Sequence, residues 1–173
     1  MNQSARSIVL IGFMGTGKSS VGELLAERLD WPLFDIDSMI EKKLKMPIGE
    51  IFSALGEEYF RDEESDILQR LMPTRSVIVT GGGMVLRRSN VVRLRELGTV
   101  VCLTSDVIDL QKRLLHQSDR PLLEVKDPRQ AIEQLLEKRA PLYRAAADLT
   151  IDTSSLSPDQ VADSILDALA IAN

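Results

Sequence analysis

One stretch near the start of the chain limits what it can fold into. Ile8-Val9-Leu10-Ile11 is an uninterrupted apolar run closed by Gly12, as expected of a strand buried on both faces. Gly12-Phe13-Met14-Gly15-Thr16-Gly17-Lys18-Ser19 then fits G-x-x-x-x-G-K-[ST] at every fixed position. Val21, Leu24, Leu25 and Leu29 recur at helical spacing, so a helix opens directly after Gly17. The glycines let the backbone curl until successive N–H groups point at one anion, and the helix start adds the positive end of its dipole. Lys18 supplies a cation for β- and γ-phosphates, and Ser19 a hydroxyl for Mg²⁺. Strand, loop and helix in that order imply binding of a nucleoside triphosphate.

Further short β-branched runs alternate with segments of helical period. Leu33-Phe34-Asp35-Ile36, Val77-Ile78-Val79-Thr80, Thr99-Val100-Val101-Cys102-Leu103 and Leu149-Thr150-Ile151 read as strands two to five. Asp127-Pro128-Arg129-Gln130 and Ser157-Pro158-Asp159-Gln160 each combine an N-cap, a first-turn proline and a Gln at the capping-box position. Such alternation predicts a parallel sheet in a three-layer α/β sandwich. The 173 residues suffice for one domain, 1–173, with no linker or repeat. The polar stretch from His116 to Lys126 lacks periodicity and reads as a lid.

Composition removes other classes. With 26 acidic against 21 basic residues the chain carries −5, which argues against coating nucleic acid or an anionic membrane. One cysteine and one histidine exclude an internal disulfide, a cysteine-based zinc site and a histidine-pair metal site. The first residues lack the apolar core of a secretion signal, and no apolar run approaches about 18 residues, so a cytoplasmic protein is expected. A guanine-nucleotide switch needs an Asn-Lys-x-Asp base reader, and none of Asn2, Asn90 or Asn173 precedes a lysine. A small-molecule or nucleotide kinase remains.

Its acceptor site must come from other residues. Asp35 and Asp37 fall where the second strand meets the next helix, at the sheet edge that binds ligands. Strand alternation would send the two carboxylates different ways, one to the Mg²⁺ hydration shell and the other to the acceptor; an N-cap with a solvated neighbour is the competing reading. Arg61 has Glu57 and Glu64 at i−4 and i+3, which suits a surface ion pair as well as a ligand contact. Arg139 interrupts the apolar stripe of Ile132, Leu135, Leu136 and Tyr143, so it either meets a fixed anion or snorkels to the rim. Gly81-Gly82-Gly83 would let backbone N–H groups approach a ligand closely. Arg113 and Arg120 bracket the polar stretch, where an arginine could swing over transferring phosphate or stay solvated.

In their order, these pieces resemble the shikimate kinase family over nearly the whole chain. The matching segments are the phosphate loop, Phe34-Asp35-Ile36-Asp37, Gly56-Glu57 with Phe60-Arg61 and Glu64, the glycine triad, Arg120-Pro121-Leu122-Leu123, and Arg139 with Pro141-Leu142-Tyr143. The resemblance implies a nucleoside-monophosphate-kinase-like P-loop kinase fold with a five-stranded parallel sheet of order 2-3-1-4-5, an acceptor segment at about 34–62 and a lid at about 113–125. It implies ATP-dependent phosphorylation of the 3-hydroxyl of shikimate, on the way to chorismate and the aromatic amino acids, by a monomer that engages neither nucleic acid nor membrane.

By position it implies ATP contacts from Gly15, Thr16, Gly17, Lys18, Ser19, Ser20, Arg113 and Arg120. Shikimate would be held by Asp37, Arg61, Gly82, Gly83 and Arg139, with Glu64 steadying Arg61. Lys18, Asp37 and Arg120 would act in catalysis, and Ser19 with Asp35 would serve Mg²⁺. The chain departs from the family pattern at Met84, where a small residue is common, and in Thr153–Pro158, which has no basic residue. Competing readings are a gluconate or nucleoside monophosphate kinase of the same fold, and a non-catalytic sensor of ATP or shikimate.

Overall fold

The computed structural model describes residues 6–114 and 127–171. Five strands form one parallel sheet: β1 (Ser7–Gly12), β2 (Leu33–Asp35), β3 (Val77–Val79), β4 (Gly98–Thr104) and β5 (Leu149–Asp152). Their spatial order is β2-β3-β1-β4-β5, the order that the family resemblance implies. Among the described residues, eight helices pack around it: α1 (Lys18–Leu29), α2 (Ile36–Leu44), α3 (Ile48–Leu55), α4 (Glu57–Arg70), α5 (Arg88–Leu97), α6 (Val107–Leu114), α7 (Pro128–Ala146) and α8 (Pro158–Ala168). A 3-10 turn at Met84–Leu86 follows the glycine triad.

β1 is central and wholly buried, as its unbroken apolar run requires. Its alternating side chains feed two separate cores. Ile8 and Leu10 join Val21, Leu25, Val161 and Ile165 of α1 and α8 on one face. Val9 and Ile11 meet Ile36, Ile40, Phe60 and Tyr143 on the other, where α2 to α7 cluster.

The second strand is one residue shorter than its apolar run suggests. It ends at Asp35, and Ile36 already begins α2 with its side chain fully buried. Asp35 stops the strand because its carboxylate accepts the Ser38 N–H at 3.0 Å and caps the helix. Both predicted caps farther along are present. Asp127 accepts the Gln130 N–H at 3.1 Å, and Ser157 forms the full reciprocal box with Gln160. α7 runs through Pro141 despite the lost helix bond, held by the buried Ile132, Arg139, Tyr143 and Ala146. Of the expected lid, all but Arg113 and Leu114 lies outside the described residues.

α1 lies close on the sheet at Gly22, where a Cβ would stand 2.4 Å from Val79 Cγ2. Gly22→Ala should therefore destabilise the protein by about 1–3 kcal/mol through overpacking. A lower urea midpoint at unchanged slope is the expected result.

Candidate active site

The loop between β1 and α1 turns in the left-handed region at Gly15 and Gly17, with φ of 80° and 89°, where side-chain-bearing residues are strained. Thr16 Oγ1 donates to the Phe13 carbonyl at 2.8 Å and tightens the turn. Lys18 Nζ donates to the carbonyls of Gly12 and Phe13 at 2.9 and 2.8 Å, so the ammonium lies over the mouth of the loop. α6 closes the outer side. Arg113 donates to the Gly15 carbonyl at 3.2 Å, and to Thr153 Oγ1 and the Thr153 carbonyl at 3.1 and 3.0 Å. This guanidinium joins the loop to the 153–158 segment, which has no cation of its own.

A cleft of about 420 Å³ runs from this loop past Ser19, Ser20, Asp35 and Asp37 to Gly81 and Gly82. Asp35 does two things at once. It caps α2, and its second carboxylate oxygen accepts from Ser19 Oγ at 3.2 Å. The capping and metal-side readings of Asp35 are thus compatible.

Asp37 stands in the first turn of α2, so the opposed directions of the two carboxylates come from a helix start and not from strand alternation. Its Oδ1 faces Gly81, where a Cβ would lie 2.7 Å away. Glu64 Oε1, from α4, reaches the same point, 2.5 Å from that Cβ position. A side chain at position 81 would collide with both carboxylates.

Arg61 and Arg139 are both buried, at 7% and 5% exposure, although they sit 78 positions apart. Arg61 does pair with Glu57 and Glu64, at 2.8 and 2.7 Å; Glu57 lies at the surface, but the Glu64 pair is internal because Glu64 is fully buried. The guanidinium also lies 5.4 and 5.8 Å from the rings of Phe60 and Phe52, within cation–π range. Gly83 exists to admit it, since a Cβ there would fall 2.2 Å from Arg61 Cζ. Arg139 does not snorkel. Its Nη1 donates to the Gly82 carbonyl at 3.5 Å, and the Tyr143 hydroxyl donates to the same oxygen. Gly82 and Gly83 therefore lie between the two arginines.

Burial pushes the Glu64 carboxyl up to about 7; Arg61 opposes the shift, Asp37 adds to it and Arg139 opposes it. Burial likewise pushes the Tyr143 phenol up to about 12 against the nearby Arg139 charge, so it stays a donor. Cys102 is buried in β4 and its thiol is pushed up to about 11 by burial, in keeping with an inert core residue.

Gly15, Thr16, Gly17, Lys18, Ser19, Ser20, Asp35, Asp37 and Arg113 line the cleft, while Arg61, Gly83 and Arg139 gather at its glycine end. Arg120 lies outside the described residues. Sequence reasoning did not find the Tyr143 hydroxyl on Gly82, the Phe52 and Phe60 rings against Arg61, or the meeting of Glu64 with Asp37. The first two had a weak signal in helical spacing. The last had none, because 27 positions separate the two acids.

A phosphate loop facing two buried arginines at the carboxyl edge of a parallel sheet defines a P-loop phosphotransferase with a small anionic acceptor. The shikimate kinase family model matches residues 14–170. A shikimate kinase from Thermodesulfovibrio yellowstonii is 48% identical over 162 residues, 93% of either chain. One from Moorella thermoacetica is 46% identical over 164 residues, 94% of either chain. The solved shikimate kinase from Acinetobacter baumannii in complex with shikimate superposes with a TM-score of 0.92 and 37% identity, covering 97% of this chain and 94% of that one. A gluconokinase from Sinorhizobium meliloti shares the fold alone, at a TM-score of 0.59 and 22% identity over 95% of this chain and 91% of that one. This chain belongs to the shikimate kinase family, ATP-dependent phosphotransferases acting on shikimate.

Between about pH 4.5 and 7 the folded protein keeps a proton on Glu64 that the unfolded chain releases, so this residue makes stability fall as pH rises through that window. Glu64→Gln should remove that falling component, read as a flatter dependence of the urea midpoint on pH.

Proposed function

We propose that this chain transfers the γ-phosphoryl group of ATP to the 3-hydroxyl of shikimate, giving shikimate 3-phosphate on the route to chorismate and the aromatic amino acids. The observation that carries the reading is the convergence of buried Arg61 and Arg139 on Gly82 and Gly83, with Asp37 at the adjoining Gly81. Shikimate is a ring with hydroxyls opposite a carboxylate. Its carboxylate suits the paired guanidinium groups and the N–H groups of Gly82 and Gly83. Glu64 holds Arg61 from behind at 2.7 Å, which fixes the fork's orientation. Asp37 binds the ring hydroxyls and receives the proton of the 3-hydroxyl as that oxygen attacks phosphorus.

On the other side the loop N–H groups from Gly15 to Ser20 cradle the ATP phosphates. Lys18 trades the carbonyls of Gly12 and Phe13 for the β- and γ-phosphate oxygens, a short movement of one flexible side chain. Arg113 borders the adenine, and Arg120 closes on the phosphates within a lid of about 113–125, opposite an acceptor segment of about 34–62. Ser19 and Asp35 offer hard oxygen donors already 3.2 Å apart, a set that fits Mg²⁺ carried with ATP. The ion, when bound, supplies neutralisation of phosphate charge. Most of the acceleration comes from alignment and charge compensation, with proton removal by Asp37 a smaller aid. The reading includes a cytoplasmic monomer; among the described residues no helix is long and apolar enough to cross a membrane.

An ADP-release assay with ATP and Mg²⁺ against shikimate, quinate, gluconate, AMP and CMP tests the reading. Release with shikimate alone is expected. Turnover of a different acceptor would discard the roles of Arg61 and Arg139, and ATP binding without turnover would favour a sensor. Lys18→Ala should abolish transfer, and activity within a few-fold of the parent would overturn the phosphate-loop assignment. Arg139→Ala should weaken shikimate binding by about 2–5 kcal/mol, as for one partner of a desolvated charge pair, read as a raised KM.

A further inference from the structure

We propose that Tyr143 is a positioning residue for acceptor binding, whose hydroxyl fixes the Gly82–Gly83 peptide and leaves the Arg139 guanidinium directed at the substrate carboxylate. The proposal rests on the acceptor reading of Arg139 given above.

The geometry is specific. Tyr143 and Arg139 lie four residues apart on α7, on one helix face, and both donate to the carbonyl oxygen of Gly82. The hydroxyl makes the close bond, whereas Arg139 Nη1 stands off at 3.5 Å, at the limit of hydrogen bonding. The ring that carries the hydroxyl is itself 3% exposed and packed in the larger core, so its position is set by the fold.

Two consequences follow from elementary chemistry. A trans peptide points its carbonyl and its N–H in opposite directions, so holding the Gly82 carbonyl also aims the Gly83 N–H. This peptide unit has a glycine on each side, and no neighbouring side chain limits its rotation. A bond from a rigid core residue supplies the restraint that the sequence of the triad lacks. Loss of the hydroxyl would also take the close donor from a half-buried carbonyl, and the Arg139 guanidinium, one turn away on the same helix and already at 3.5 Å, is placed to move in. Arg139 would then be drawn from the substrate to the backbone.

A cycle of four proteins tests this: the parent, Tyr143→Phe, Arg139→Ala and the double variant, each read for shikimate KM, ATP KM, kcat and thermal midpoint. Tyr143→Phe keeps the ring in the core and deletes one oxygen. It should raise shikimate KM about five- to thirty-fold, with ATP KM unchanged and kcat within a few-fold. The double variant should raise shikimate KM by clearly less than the product of the two single effects, because the hydroxyl acts on the same grip. An unchanged shikimate KM in Tyr143→Phe overturns the proposal, as does a full product in the double variant or an equal rise in ATP KM. If Arg139→Ala itself leaves shikimate KM unchanged, the acceptor reading is what has failed.

Discussion

Everything in this protein hangs on the burial of β1 between two cores. A strand apolar on both faces is stable only inside a sheet covered on both sides, so helices must lie above and below it. β1 takes the middle, with β3 on one flank and β4 on the other. The chain leaves its carboxyl end in the crevice where the strand order reverses, the place where open α/β sheets bind ligands. The burial of β1 keeps the strand off the sheet edge, and its place between β3 and β4 puts the phosphate loop at the switch point.

The second dependency is electrostatic. Glu64 has no exposure, and a buried carboxylate is tolerable only beside a cation. Arg61 fills that role and is in turn lodged over Gly83 and against two aromatic rings. Breaking such a pair from one side typically costs about 3–5 kcal/mol, which ties the glycine end of the cleft to the stability of α4. Arg87, at the end of the 3-10 turn after the triad, reinforces the same seam. It donates to the Arg61 carbonyl at 3.1 Å and to Asp62 Oδ1 at 2.7 Å, and it pairs with Glu58. These bonds tie α4 to the glycine turn.

The glycine triad shows how three identical residues carry three different constraints. Gly81 keeps space for the Asp37 and Glu64 carboxylates, and Gly83 keeps space for the Arg61 guanidinium. A Cβ at Gly82 would meet nothing closer than 3.4 Å, and the part of this residue is played by a carbonyl that Tyr143 and Arg139 share. Met84, the departure in this stretch, is wholly buried and sits in the larger core beneath the turn, away from the cleft. The departure changes packing and leaves the ligand-facing backbone in place.

Much of this was written in the order of residues alone. The phosphate loop, all five strands, the caps at Asp127 and Ser157, and the family resemblance follow from local spacing, because backbone conformation and side-chain period are local properties. Arg61, Arg139 and the triad could be singled out as residues out of keeping with their surroundings. What those residues touch could not. Spacing left Arg61 between a surface pair and a ligand contact, and Arg139 between an anion and the rim. Burial removed the surface and rim readings, and burial is a property of packing between segments up to 78 positions apart. The meeting of Glu64 with Asp37, and of Tyr143 with Gly82, likewise exists only once α2, α4 and α7 close on one sheet edge. The sequence by itself determined the phosphate loop and the parallel α/β sheet that presents it; the strand order came only with the family resemblance. Only the tertiary structure decided which charges are desolvated, because burial depends on how distant segments pack.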